Sequence, residues 1–240
     1  MCCMGQKRSN REVIKKNKFL NFKQFFIMLL YNPYDLIIIQ KNVIPQENIE
    51  ELMLLTNNTK DIAQATIINK NKEEETGDSQ EEDLKVRNTL WYHITEEMSK
   101  KLEEAVAGCF VNHVAPRYNC QFKSYEPVQF LGYPVGGHYK GHNDGEHFNM
   151  ETRQWERLMD RDVSFLFYLN DQYGGGELEF YDLGLTIKPK KGMMIAFPSY
   201  KEFAHKVHPV TWGHRYSLVS WVATQKNLYD TIPRPGIPES

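Results

Sequence analysis

The sequence predicts an all-β core with flanking helices, and three observations carry that prediction. From Glu126 to Ala223, seven short stretches rich in β-branched and aromatic residues are separated by Gly, Pro, Asn and Asp. Many short strands at such spacing mean a sandwich or a barrel. Upstream, two stretches carry helical periodicity instead. Aromatic residues make up 12% of the chain, which suits strands and a lined pocket better than disorder.

In chain order, residues 1–33 read as a basic, disordered extension, with seven Lys/Arg and a single acid, Glu12, before position 28. Its apolar run, Phe25 to Tyr31, is far too short to span a bilayer, and Met28 offers an alternative start. Tyr34 to Ile44 reads as a strand. Pro45 suits a helix start, and Ile49, Leu52, Met53 and Leu55 give that helix one apolar face. Residues 70–84 are charged and polar and form a solvated insert. Thr95 to His113 predicts the clearest helix, with Met98, Leu102, Ala105, Val106, Cys109 and Phe110 as its buried stripe and Glu96 and Glu97 at its positive end. The seven expected strands are Glu126–Tyr133, Val163–Asn170, Gly176–Asp182, Leu185–Pro189, Gly192–Pro198, Ala204–Val210 and His214–Ala223. A helical interruption is expected at Asn149–Asp160. The glycines of Tyr173–Leu178 read as a tight turn, since no P-loop lysine follows. One domain is expected over 34–225, followed by a Pro-rich tail, 226–240.

Composition narrows the function classes. The formal net charge is -2 over 240 residues, so no basic field points to nucleic acid or an anionic membrane. Cys2, Cys3, Cys109 and Cys120 lack zinc spacing, and adjacent Cys2 and Cys3 make a poor disulfide framework. A reduced, cytoplasmic protein is expected.

The chemistry-bearing residues begin with His142 and Asp144. On an extended chain, residues at i and i+2 point to the same side. An imidazole and a carboxylate converging there form two-thirds of the 2-His-1-carboxylate triad that holds non-haem Fe(II). The alternative is a plain surface turn, since Asn143-Asp144-Gly145 is turn chemistry. The missing histidine must come from another strand, and strand phase selects among His205, His208 and His214. His205 shares a face with Val207. Arg215 shares one with Ser217, Val219 and Trp221. His208 and His214 fall on opposite faces. His205 is therefore the expected ligand, with Arg215 as an anion partner whose planar fork pairs a carboxylate through two hydrogen bonds. Tyr133 lies on the inward phase with Gln129 and Leu131. Tyr139 either lines the pocket or packs in the core, and Trp221 either meets substrate or fills core. His138 and His147 are expected at the surface.

The order Tyr133, Tyr139, His142, Asp144, then "FYLND", "GGELEF", "PKKGMMIAFPS" and "HKVHPVTWGHRYSLVSW" resembles 2-oxoglutarate/Fe(II)-dependent dioxygenases of the prolyl 4-hydroxylase-like branch. The resemblance covers about Glu126 to Ala223. It implies a double-stranded β-helix (jelly roll), with His142, Asp144 and His205 as iron ligands. It implies Arg215 as partner of the distal carboxylate of 2-oxoglutarate, with Tyr133, Tyr168 and Ser164 beside it; packing alone is the alternative for Tyr168 and Ser164. It further implies O2 as co-substrate, ascorbate as reductant, release of succinate and CO2, and a peptide or protein substrate hydroxylated at proline. Lysyl or small-molecule hydroxylation is the runner-up, and a catalytically silent jelly-roll binding protein is the reading from another class. Nucleic-acid substrates are disfavoured because Trp221 stands where those demethylases carry a second arginine. Residues 70–84 and Gly145–Asp160 are expected to border the substrate entrance.

Overall fold

The computed structural model of the protein describes residues 32–57, 62–68 and 80–228. Its strands, in chain order, are β1 (Ile38–Lys41), β2 (Ile62–Gln64), β3 (Ile67–Ile68), β4 (Gln80–Glu81), β5 (Arg87–Asn88), β6 (Leu90–Tyr92), β7 (Phe122–Tyr125), β8 (Gln129–Tyr133), β9 (His138–His142), β10 (Glu146–Asn149), β11 (Gln154–Arg157), β12 (Val163–Tyr168), β13 (Tyr173–Gly175), β14 (Leu178–Phe180), β15 (Leu185–Ile187), β16 (Met193–Pro198), β17 (His205–Val207), β18 (Val210–Gly213) and β19 (Arg215–Thr224). The helices are α1 (Gln46–Leu55), α2 (Glu96–Cys109) and α3 (Ala115–Tyr118).

The strands form two main antiparallel sheets. The major sheet runs β1-β16-β12-β19-β8-β6-β2, with β7 also pairing β19, and the minor sheet runs β15-β14-β17-β9-β5. Side chains from both sheets line one cavity: Leu131, Leu166, Ser217 and Val219 from the major sheet, and Tyr139, His142, Leu178, His205 and Val207 from the minor. This is the jelly-roll, double-stranded β-helix arrangement that the sequence predicts.

The central strands are buried on both faces. On β12, Ser164, Leu166 and Tyr168 alternate with Val163, Phe165 and Phe167, and only Leu166 is not fully buried. An apolar strand can stay that way only if something covers its back. The helices supply the cover, since Ile49, Leu52, Met98, Leu102, Val106, Cys109, Phe110 and Val114 all belong to the same buried cluster. Helix α2 starts where expected, with the Thr95 hydroxyl accepting from the Met98 amide at 3.2 Å. It does not stop at His113. One wider π turn, Phe110–Val114, passes into α3. Pro116 has no N–H and would crowd the carbonyl four residues back, and the wider turn accommodates it. Asn119, left-handed at φ 49°, ends the run.

Three sequence expectations are corrected. Asn149–Asp160 is not helical; it holds the turn and second strand of the β10–β11 hairpin. Asn149 Oδ1 accepts from the amides of Glu151 and Thr152, Arg153 takes φ 52°, and Phe148 packs edge-on against its cross-strand neighbour Trp155. An Asn-centred turn and an aromatic cross-strand pair outweigh helical propensity. The strand expected from Tyr34 begins only at Ile38, because Asn32 caps a 3-10 turn over Pro33–Leu36. The strand expected over Ala204–Val210 breaks at His208-Pro209 into β17 and β18. Residues 1–31, 70–79 and 229–240, which carry the extension, most of the insert and most of the tail, lie outside the described residues. The insert's Gln80 and Glu81 form β4, paired with β3. Cys109 and Cys120 are unpaired thiols.

Candidate metal and anion site

The site starts from strand register. In the β17–β9 ladder His205 is paired directly with His142. These residues are 63 apart in sequence, yet antiparallel pairing sets them side by side on one face. Asp144 follows two residues after His142, where the chain bends out of β9. Asn143 caps that bend by accepting from the Glu146 amide at 2.7 Å, and the Gly145 amide donates to the Ser199 carbonyl at 2.9 Å. The three ligand atoms lie within 4.8 Å of one another. His142 Nε2 is 3.6 Å from Asp144 Oδ1, and His205 Nε2 is 3.9 Å from Asp144 Oδ2.

Both imidazoles are turned to offer a lone pair to this centre. His142 Nδ1 donates to the Lys140 carbonyl at 2.8 Å, and His205 Nδ1 donates to the Phe203 carbonyl at 3.0 Å. Because a carbonyl can only accept, the proton sits on Nδ1 and Nε2 is free to bind a cation. Burial pushes His142 down to about 3, and the neighbouring His205 pushes the same way, so the ring is neutral near pH 7. Burial favours the neutral acid at Asp144, but His205, His142, Arg161 and the Ser164 hydroxyl outweigh it and keep the carboxylate ionised. Two imidazoles and one carboxylate form the donor set of a non-haem Fe(II) site. The Tyr139 ring lies flat on His142, centroids 3.6 Å apart, and the Arg87 guanidinium lies over the Tyr139 ring at 4.7 Å.

The closed end of the cavity is built by the major sheet. Arg215 opens β19, fully buried, and is paired in register with Tyr133 of β8. Its guanidinium carbon lies 4.4 Å from the Tyr133 ring centre and 4.9 Å from that of Tyr168. Burial would strip Arg215 of its proton, but the surrounding phenols Tyr168, Tyr133 and Tyr173 more than offset it. Burial raises Tyr168 and Tyr173, which are therefore neutral hydroxyl donors. Gly176, at φ 66°, makes this packing possible: a Cβ there would sit 2.9 Å from Arg215 Cδ and 3.0 Å from the Tyr173 ring. Arg215 Nε and the hydroxyls of Tyr168 and Tyr173 are buried, and both phenols meet the guanidinium. Arg215 and Tyr133 line the cavity, so a buried guanidinium is available there to a bound carboxylate.

The cavity encloses about 430 Å³, a volume suited to a small organic acid together with part of a larger substrate. The exposed Trp91 marks its mouth, and Arg87, Glu126, Arg161, Met159 and Trp221 line the cavity as well. Arg161 lies 3.7 Å above the Trp221 ring, pairs with both oxygens of Glu126 at 2.5 and 2.6 Å, and reaches the Asp144 carbonyl at 3.3 Å.

Strand phase reads β19 correctly, as Arg215, Ser217, Val219 and Trp221 all line the cavity. Tyr133 and Tyr139 line it too. His208 points away and contacts Glu179 Oε2 at 2.5 Å, and His214 is exposed. His138 and His147 stay outside the cluster, with His138 against the carbonyls of Gly136 and Lys85 and His147 near Glu156. Ser164 sits behind the site, with its hydroxyl on Asp144 Oδ2. Sequence reasoning misses Arg87, Glu126, Arg161 and Tyr173. Arg87 stands on a two-residue strand, Arg161 and Glu126 stand in loops, and none follows a period. The opposite charges of Glu126, which opens a predicted strand, and Arg161, which stands just before one, are the one available signal.

Fold and site together define a jelly-roll protein with a 2-His-1-carboxylate centre beside a buried arginine. The sequence model of the 2OG-Fe(II) oxygenase superfamily matches residues 128–223, and over that span the chain is similar to this superfamily. Prolyl 3-hydroxylase 2 of Mus musculus is 40% identical over 79 residues, 31% of this chain and 11% of that protein. A PKHD-type hydroxylase of a Synechococcus species is 30% identical over 127 residues, 51% of this chain and 54% of that protein. The chain thus spans about a tenth to about half of these relatives. Among solved structures, a prolyl hydroxylase of Trichoplax adhaerens, in complex with a hypoxia inducible factor oxygen degradation domain peptide fragment, aligns over 94% of this chain and 98% of its own, with a TM-score of 0.61 at 16% identity. The viral collagen prolyl hydroxylase of Paramecium Bursaria Chlorella virus-1 aligns over 80% and 97%, with a TM-score of 0.56 at 21% identity. At these identities the structural likeness establishes the fold.

Proposed function

We propose that the protein is a 2-oxoglutarate- and Fe(II)-dependent dioxygenase that hydroxylates a prolyl residue of a peptide or protein. The observation that carries the reading is the joining, in one cavity, of the His142–Asp144–His205 cluster with the buried, anion-ready Arg215. His142, Asp144 and His205 would hold the iron. Arg215, flanked by Tyr133 and Tyr168, would hold the distal carboxylate of 2-oxoglutarate. When bound, iron and 2-oxoglutarate supply the oxidising chemistry, in which O2 is consumed, 2-oxoglutarate is decarboxylated to succinate and CO2, and a C–H bond is hydroxylated; ascorbate would serve as reductant.

The chain's own residues orient and shield that chemistry. The carbonyls of Lys140 and Phe203 fix both imidazole tautomers. The apolar lining of Leu131, Leu166, Leu178, Val207 and Val219 limits water between the two anchor points. At the mouth, Trp221 and Trp91 offer flat faces for a pyrrolidine ring, and Arg161 offers N–H groups to a peptide carbonyl.

Prolyl chemistry is preferred over lysyl for an electrostatic reason. Among the described residues, the acids lining the cavity are Glu126 and Asp144. Arg161 already engages both oxygens of Glu126, and Asp144 belongs to the metal cluster. Among the described residues a lysyl ammonium would find no free counter-charge there, whereas a neutral pyrrolidine needs none. Relatives and structural neighbours named as prolyl hydroxylases support the same choice. The test is incubation with Fe(II), 2-oxoglutarate and a panel of proline-containing peptides, reading succinate together with a +16 mass shift. Succinate formation coupled to a shift on lysine peptides alone would replace prolyl by lysyl hydroxylation, and the absence of both products would leave the binding-protein reading.

A further inference from the structure

We propose that Ser164 is a positioning residue for Asp144: with Ser199 behind it, its hydroxyl locks the rotation of the carboxylate and so sets the metal affinity of the site. This rests on the reading of His142, Asp144 and His205 as metal ligands.

The geometry is a three-member chain. Ser164 Oγ lies 2.6 Å from Asp144 Oδ2 and 2.8 Å from Ser199 Oγ. Both serines are essentially inaccessible to solvent. Proton accounting fixes the direction of each bond. An ionised carboxylate can only accept, so the single Ser164 proton is spent on Asp144. Ser164 must then accept from Ser199, whose own proton points towards it. The polarity therefore runs from Ser199 through Ser164 to Asp144, each bond polarising the next.

The chain joins elements that nothing in sequence links. Asp144 sits just past β9 of the minor sheet. Ser164 is on β12 and Ser199 just past β16, both in the major sheet. In register, Ser164 is flanked by Phe197 on one side and Trp221 on the other. Among such neighbours a hydroxyl without this acceptor would be buried unsatisfied. Ser199 grips the ligand bend a second time, since its carbonyl accepts from the Gly145 amide at 2.9 Å. The carboxylate is thus held across the gap between the sheets, in the plane it needs to meet His142 and His205 together. Outer hydrogen bonds of this kind set metal affinity by fixing the ligand's orientation.

The experiment is titration of the full chain with Mn(II), as an oxygen-stable probe, by isothermal calorimetry and by Mn(II) electron paramagnetic resonance. Four proteins are compared: wild type, Ser164→Ala, Ser164→Thr and Ser199→Ala. Their metal-free thermal unfolding is recorded alongside, so that a folding defect is separated from a binding defect. Ser164→Ala is expected to weaken Mn(II) about 10- to 100-fold while unfolding cooperatively, and to alter the bound Mn(II) spectrum. Ser164→Thr retains the hydroxyl and is expected to recover affinity to within a few-fold of wild type. Ser199→Ala is expected to shift affinity in the same direction by a smaller factor, and it stands as the independent variant if Ser164→Ala fails to fold. Wild-type Mn(II) affinity in Ser164→Ala, or in Ser199→Ala where that is the surviving variant, overturns the positioning role. A wild-type protein that binds no Mn(II) overturns the metal reading itself, and the role of Ser164 with it.

Discussion

The two ends of the cavity are built differently. At the closed end, Arg215, Tyr168 and Ser217 are each 2% exposed or less and stand on β19 and β12, which pair in unbroken register. At the mouth, Trp91 is 38% exposed, and Arg87, Glu126 and Arg161 come from a two-residue strand and from loops. The closed end suits a small anion of fixed shape, for which rigid pairing sets the donors in advance. The mouth suits a larger molecule, where flat aromatic faces and paired charges tolerate variation. The metal cluster lies between, with one imidazole on each of two paired strands and its carboxylate tied to the opposite sheet.

That contrast can be tested variant by variant. Replacing His142, Asp144 or His205 with Ala should have the largest effect, abolishing Fe(II) binding and succinate formation together; turnover at wild-type rate in a folded variant would exclude the cluster as the centre. Arg215→Ala should raise the KM for 2-oxoglutarate by about 10- to 100-fold, the worth of a charge-assisted, two-bond contact, with the peptide KM unaffected. Arg161→Ala and Trp221→Ala should do the reverse, raising the peptide KM by about tenfold with little change in the 2-oxoglutarate KM. If closed-end and mouth variants moved both constants alike, the division of the cavity would fail. A gentler test is pH. The folded His142 binds its proton only near pH 3, whereas an unfolded histidine does so near ~6.5. The unfolded chain therefore binds more protons in this window, and the metal-free protein should lose stability as pH falls from about 6.5 towards 3, read as a declining Tm that His142→Gln partly flattens. Tyr173→Phe should have the smallest effect. Its hydroxyl lies beside the Arg215 guanidinium and it does not itself line the cavity, so 2-oxoglutarate affinity should drop by no more than a few-fold, one neutral hydrogen bond's worth.

Much of the closed end was legible in advance because β-strands alternate strictly. The two-residue phase that chose His205 over His208 and His214, and that put Arg215, Ser217, Val219 and Trp221 on one face, is a property of extended chain. The β10–β11 hairpin was not legible. Its residues favour a helix one by one, and the decision fell to the Asn149 turn and the pairing of Phe148 with Trp155. The phase of Ser164 was read correctly, but its partner was not: phase tells which way a side chain points, not which atom of another sheet it meets.

The sequence by itself determined the strand-rich class, the helix over Glu96–Cys109, and the identities and facing of His142, Asp144, His205 and Arg215. These follow from local periodicity and from the few residue types able to hold a metal or an anion. Only the tertiary structure decided that His205 pairs in register with His142, that Ser164 backs Asp144, and that Arg161 bridges Glu126 and Trp221. Such contacts arise where separate stretches of chain are brought together by burial of a shared core, and their geometry is set by packing across the sheets rather than by spacing along the chain.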